Sequence, residues 1–112
     1  MLRFLILFVA AVSAVAQTTT GTIVGTIRDS SGAIITGAKI RVTNEGTNIA
    51  ITVVSNDSGD FVAPNLPAAV YSMLVESPGM RPFTLSGIQL LVKETYRGDV
   101  QMEPGTLQQN IR

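Results

Sequence analysis

The side chains most able to do chemistry are few. Histidine and cysteine are absent from all 112 residues, so no imidazole can activate a serine and no thiolate can attack. Two short clusters remain. Asn56-Asp57-Ser58-Gly59-Asp60 brings two carboxylates and an amide into five residues. A calcium ion asks for about 6–8 oxygen ligands, more than this segment offers. Asn, Asp, Ser and Gly are also the ordinary material of a tight turn, and the turn is the reading adopted. Asn56-Asp57-Ser58 also has the form of a glycosylation sequon. The second cluster, Arg97-Gly98-Asp99, matches an adhesive tripeptide. Such a tripeptide acts from a loop tip, whereas here it is expected inside a strand running from Tyr96 to Met102. No phosphate-binding loop, zinc motif, dinucleotide fingerprint or nucleophile elbow occurs. The expectation is a non-enzyme, with no catalytic, cofactor-binding or metal-binding residue to assign and no cofactor.

The elements that would position these clusters are strands. Ile23, Gly25 and Ile27 alternate with Thr22, Thr26 and Arg28; Ala38, Ile40 and Val42 with Lys39, Arg41 and Thr43; Ile49, Ile51 and Val53 with Ala50, Thr52 and Val54. Phe61-Val62-Ala63 reads as a short strand ended by Pro64. Tyr71, Met73 and Val75 share a face. Residues 82–85 and 88–92 form two strands or one bent strand. Tyr96, Val100 and Met102 close the series. Period two is the mark of a strand with one dry and one wet face, and turn residues fall every ~8–12 positions, the spacing of a sandwich. The expected interior is Ile23, Ile27, Ile40, Val42, Phe61, Leu66, Tyr71, Met73, Val75, Phe83, Val100 and Met102.

The first sixteen residues differ from the rest. Met1-Leu2-Arg3 carries one positive charge, residues 4–12 are an unbroken apolar run, and Ala14-Val15-Ala16 offers small residues for cleavage. That order is a secretory signal peptide. The apolar stretch through Ala16 is shorter than the ~20 residues that span a bilayer, and polar Gln17-Thr18-Thr19-Thr20 follows. Eight basic and eight acidic side chains balance, so nothing attracts nucleic acid. Export without cysteine suits a bacterial envelope better than a disulfide-rich extracellular milieu.

Taken in order, the turns resemble a known family. Gly25-Thr26-Ile27-Arg28-Asp29 with Ser31-Gly32-Ala33, then Thr36-Gly37-Ala38-Lys39-Ile40, Asn56 to Phe61, Leu66-Pro67 with Tyr71 to Val75, and Pro78-Gly79-Met80 are similar to successive steps of the carboxypeptidase regulatory-like domain. This resemblance implies an antiparallel Greek-key β-sandwich of about seven strands, transthyretin-like within the carbohydrate-binding-like fold group. It departs at Ala69, where the family favours Gly, and at Met80, where it favours an aromatic. Tyr96-Arg97-Gly98-Asp99 also resembles the Tyr-Arg-Gly-Ser ending of the transthyretin-like hydroxyisourate hydrolases, but those use histidine.

The expected organisation is a signal peptide at 1–16, the sandwich at 17–104, and a tail or the start of a further segment at 105–112. In bacteria the resemblance implies an accessory domain beginning a TonB-dependent, Oar-like outer-membrane receptor. Its location would be the periplasm or outer membrane of a Gram-negative cell. The partner would be a protein or the adjoining plug and barrel, met through turns and an exposed sheet edge; the mature domain itself would not span the membrane. The alternative is a freestanding secreted carbohydrate-binding module. Sugar sites use exposed aromatic rings, and Phe61, Tyr71, Phe83 and Tyr96 all fall on expected interior faces.

Overall fold

The computed structural model describes residues 19–105. The expected signal peptide and the segment from 106 onward lie outside them. Eight strands make two sheets. One sheet holds β1 (Thr20–Asp29), β4 (Asp60–Pro67), β7 (Thr95–Arg97) and β8 (Val100–Met102). The other runs β3 (Ala50–Val54), β2 (Lys39–Asn44), β5 (Ala69–Glu76), β6 (Phe83–Leu90). The expected all-β sandwich is therefore present. Its pairs are antiparallel except those of β7 and β8, which run parallel to β1.

The inner faces of the two sheets meet in one core. Ile23, Ile27, Ile40, Val42, Phe61, Tyr71, Met73, Val75, Val100 and Met102 are all at most 2 % exposed. Each such large apolar side chain contributes about 2 kcal/mol by leaving water. Leu66 joins them, as does Ala38 from the face it shares with Ile40 and Val42, and so do Ala63, Ile88 and Leu90, which the expected interior did not include. Phe83, expected inside, is half-buried at the core's margin. Ile51 and Val53 are half-buried, but Ile49, just before β3, is 68 % exposed.

At three boundaries the structure corrects the expected one or chooses between the alternatives left open. First, β4 does not stop at Pro64 but continues to Pro67. The register with β1 slips between Gly21 and Ile23, so Pro64 and Asn65 oppose Thr22 alone. At such a bulge on an edge strand, a residue without an N–H costs no ladder bond. Second, residues 83–90 are one bent strand. Its register with β5 shifts between Tyr71 and Met73, where Gly87 adopts φ 72°. Third, the single last strand expected from Tyr96 to Met102 is two, parted at Gly98-Asp99. Gly98 N–H donates to Val24 C=O across that gap at 2.8 Å.

The chain enters and leaves at opposite ends. Thr20 pairs with Pro67, and its carbonyl accepts from Lys93 N–H, beside the start of β5. Gly105 N–H donates to Gly79 C=O, just past the end of β5. The eight residues of β5 separate the two points by roughly 25 Å at strand rise.

Candidate interaction surface

The two clusters singled out in the sequence are consumed by the fold. Around the gap between β7 and β8, buried Thr26 donates its hydroxyl to Asp60 Oδ1 at 2.6 Å and accepts from Arg97 Nη2 at 3.0 Å. Thr26 N–H donates to Asp99 Oδ1 at 3.0 Å, and Arg97 Nε stands 3.2 Å from the same carboxylate oxygen. The Arg-Gly-Asp sequence is thus a clamp on β1 and not a displayed tip. Its position at a strand break, not within a strand, corrects the expectation. Thr26 was expected on the wet face; Asp60, Arg97 and Asp99 enclose it.

In the Asn56–Asp60 turn, Asn56 Oδ1 accepts from the N–H groups of Ser58 and Asp60, an Asx turn. Gly59 at φ 76° completes it, a backbone shape that favours a residue without Cβ. Asp60 turns to Thr26 and leaves Asp57 alone. Among the described residues, no three His, Cys, Asp or Glu side chains gather as metal ligands.

A polar groove of ≈ 540 Å³ lies beside the clamp, lined by Thr26, Arg28, Asp29, Asp99 and Gln101 among others. Its ionisable groups are occupied locally. Asp29 Oδ1 accepts from Ser31 Oγ, Ser31 N–H and Ala33 N–H. The Ser31 hydroxyl is the largest of the influences that hold the Asp29 carboxyl below its ordinary range. Arg28 Nη1 donates to Gly32 C=O.

An open surface remains at β3. In an antiparallel ladder alternate residues point their backbone groups to the same neighbour. Asn44 N–H donates to Ile49 C=O, and Ser55 N–H to Ala38 C=O. With the register Lys39↔Val54 to Thr43↔Ala50, Ile49, Ile51, Val53 and Ser55 face β2. Ala50, Thr52 and Val54 therefore turn their N–H and C=O groups outward, and no strand among the described residues pairs with that side. Val54 is 58 % exposed, and β3 carries no charge. Between β3 and β4 opens an apolar groove of ≈ 360 Å³, with Ile49, Ile51 and Pro64 along it and buried Val42, Leu66 and Tyr71 beneath. Tyr71 fixes this floor: its hydroxyl donates to Pro67 C=O at 2.6 Å. Burial raises its phenol above the ordinary range, against a lesser opposing pull from the Asn44 side chain.

The alternation of residues 49–54 marked β3 as a strand. It did not mark β3 as an edge, because strand order is not a local property of sequence. The four aromatic side chains of the described residues are buried or half-buried, Phe61 and Tyr71 fully. No aromatic platform faces solvent among them.

Comparison with known proteins agrees with this architecture. Among solved structures, catechol 1,2-dioxygenase of Acinetobacter radioresistens superposes with a TM-score of 0.65 at 14% identity, over 89% of this chain and 58% of that one. A candidate carbohydrate-binding protein of Bacteroides uniformis gives 0.60 at 22% identity, over 76% and 42%. Likeness at such identities concerns the fold. In sequence, the chain is 32% identical over 88 residues to the TonB-dependent transporter Oar of Myxococcus xanthus. That match spans 77% of this chain but only 8% of the transporter. The family model of the carboxypeptidase regulatory-like domain matches residues 22–103, from the third residue of β1 to just past β8. The chain belongs to the carboxypeptidase regulatory-like domain family.

Proposed function

We propose that this chain is an exported, non-catalytic accessory domain of a TonB-dependent outer-membrane transporter in a Gram-negative envelope. It spaces neighbouring segments and contacts a protein partner, the adjoining plug or barrel included. The observation that carries this reading is the unpaired β3 edge beside an apolar groove. An edge of this kind recruits a strand through backbone hydrogen bonds and sorts partners by alternate side chains. The likeness to the Oar transporter supports the setting. Entry and exit at opposite ends suit a module placed in line. No helix among the described residues is long and apolar enough to cross a membrane.

A non-catalytic role fits the commitments of the polar groups. Asp29, Asp60, Arg97 and Asp99 all serve turns or the clamp, and no histidine or cysteine stands by to accept a proton. A freestanding carbohydrate-binding module, the other reading, rests on likeness of fold alone. Saturable binding of the chain on a glycan array would revive it.

The test is a photo-crosslinking residue at position 52 of the chain in its source cell, with position 84 on β6 as control. A heavy outer-membrane adduct from position 52, absent from position 84, is the expected result. A small, soluble, uncrosslinked species in the envelope fraction would count against the reading.

A further inference from the structure

Three properties of the β3 edge together specify its occupant. The first is backbone. Ala50, Thr52 and Val54 each present one N–H and one C=O to the outside, enough for a short extended segment to continue the sheet. The other edges are spoiled: β4 by Pro64 at a bulge, β6 by the kink at Gly87, and β7 with β8 by the gap at Gly98-Asp99. Devices of this kind are how sheets refuse new strands, and β3 has none of them.

The second property is the inner face. A strand added beside β3 would send every other side chain inward, over the apolar groove bounded by Ile49, Ile51 and Pro64. Those positions call for apolar side chains, because a polar one would lose its water without gaining a partner.

The third property is the outer face. Lys39 and Arg41 lie on β2, opposite Val54 and Thr52 of β3, and both are exposed. Among the described residues neither has an ion pair; Lys39 faces Glu76 in register without a salt bridge. An added strand would lie about 10 Å from β2, two strand spacings away. An arginine or lysine and a glutamate extended toward each other across Thr52 or Val54 span that interval.

We infer that the β3 edge receives an extended peptide segment whose side chains alternate apolar and acidic. The apolar set enters the groove and the carboxylates turn toward Lys39 and Arg41. This rests on the reading of β3 as a contact surface and adds the chemistry of what it contacts. A second copy of the chain fits less well: two β3 edges paired together would place both sets of Lys39 and Arg41 around one seam, with no carboxylate on either β3.

Two blocked fluorescent heptapeptides test it, one alternating valine with glutamate and one alternating valine with lysine. They are titrated against the full chain purified from cells expressing the complete sequence. The glutamate peptide should bind saturably and at least tenfold tighter than the lysine peptide, with the gap narrowing as salt rises. Lys39→Glu with Arg41→Glu should reverse the preference. Thr52→Pro removes one outward N–H and no ladder bond, so binding should fall tenfold or more while thermal melting shows a folded domain. Should that variant unfold, the wild-type chain with peptides N-methylated at alternate residues reads the same backbone bonds. Equal affinity for both peptides, lost in both on Thr52→Pro, would overturn the acidic chemistry and leave the edge reading standing. Binding indifferent to Thr52→Pro and to N-methylation would overturn both. Absence of saturable binding would overturn the inference, and so would a dimer in sedimentation that Thr52→Pro dissociates.

Discussion

The β7–β8 margin and β3 are both sheet edges, yet they are built in opposite ways. The β7–β8 margin is broken at Gly98-Asp99, charged, and fastened to β1 through Thr26. The β3 edge is continuous, uncharged and open on its outer side. The first spends its polar groups inside the molecule; the second leaves its backbone groups to water. An edge left in that state invites association, so the difference separates a structural margin from a contact surface.

The largest effect should come from attacking the closed margin. A Cβ built on Gly25 would lie 2.3 Å from Gly98 C=O and 2.7 Å from Phe61 Cε1. The first of these is backbone and cannot rotate away. Gly25→Ala should therefore force the β7–β8 gap off β1 and cost about 3 kcal/mol, read as a fall in the urea midpoint. A midpoint unchanged from wild type would mean that the margin is loose and the contrast with β3 is overstated.

Thr26→Val is milder. It keeps the shape but deletes the hydroxyl between Asp60 and Arg97. Loss of two hydrogen bonds to charged groups that water can partly replace should cost about 1–2 kcal/mol. Arg97 is already 59 % exposed, so trypsin should cut the Arg97–Gly98 bond sooner in the variant. Unaltered cleavage would show that Gly98 N–H on Val24 C=O and the backbone N–H of residue 26 on Asp99 hold the gap without the hydroxyl.

Tyr71 tests the ground beneath the open edge. Tyr71→Phe leaves Pro67 C=O without its donor, at a cost of about 1 kcal/mol. The phenol also links stability to pH. Its folded pKa is raised, chiefly by burial, so above about pH 10 the unfolded chain releases this proton while the folded chain keeps it. The stabilisation is full below that pH and is lost as pH rises through the folded value. Melting temperature against pH should show an alkaline decline that is shallower in Tyr71→Phe. Asp29 acts at the other limb: with its folded pKa lowered, its contribution is present above about pH 4 and lost as pH falls below.

The interior was legible because period two is imposed by the backbone itself. Ile23, Ile27, Ile40, Val42, Met73 and Val75 had to share sides once they lay in strands, and the positions of Gly59 and Tyr71 followed from the family likeness. Pro64 misled because a proline ends a central strand but passes unremarked on an edge bulge, and nothing nearby in sequence says which strand is an edge. Thr26 misled because its partners are Asp60, Arg97 and Asp99, 34 to 73 residues away. The β3 surface was hidden for the same reason. The groove beside it forms only when Ile49 and Ile51 come to face Pro64 across the two sheets.

The smallest change in stability should carry the sharpest information. Val54 on β3 and Val62 on β4 are similarly exposed valines, 58 % and 52 %, each with its backbone turned outward from the ladder. Replacing either by lysine trades one exposed side chain for another and should move stability by no more than about 0.5 kcal/mol. If exposed apolar area alone governed association, both substitutions would reduce it equally. If the continuous backbone edge governs it, Val54→Lys, which adds a cation beside Lys39, should tighten binding of the valine–glutamate peptide and Val62→Lys should leave it unchanged, because β4 is already blocked two residues on by Pro64. Equal weakening by both would reduce the distinction between the edges to one of hydrophobicity.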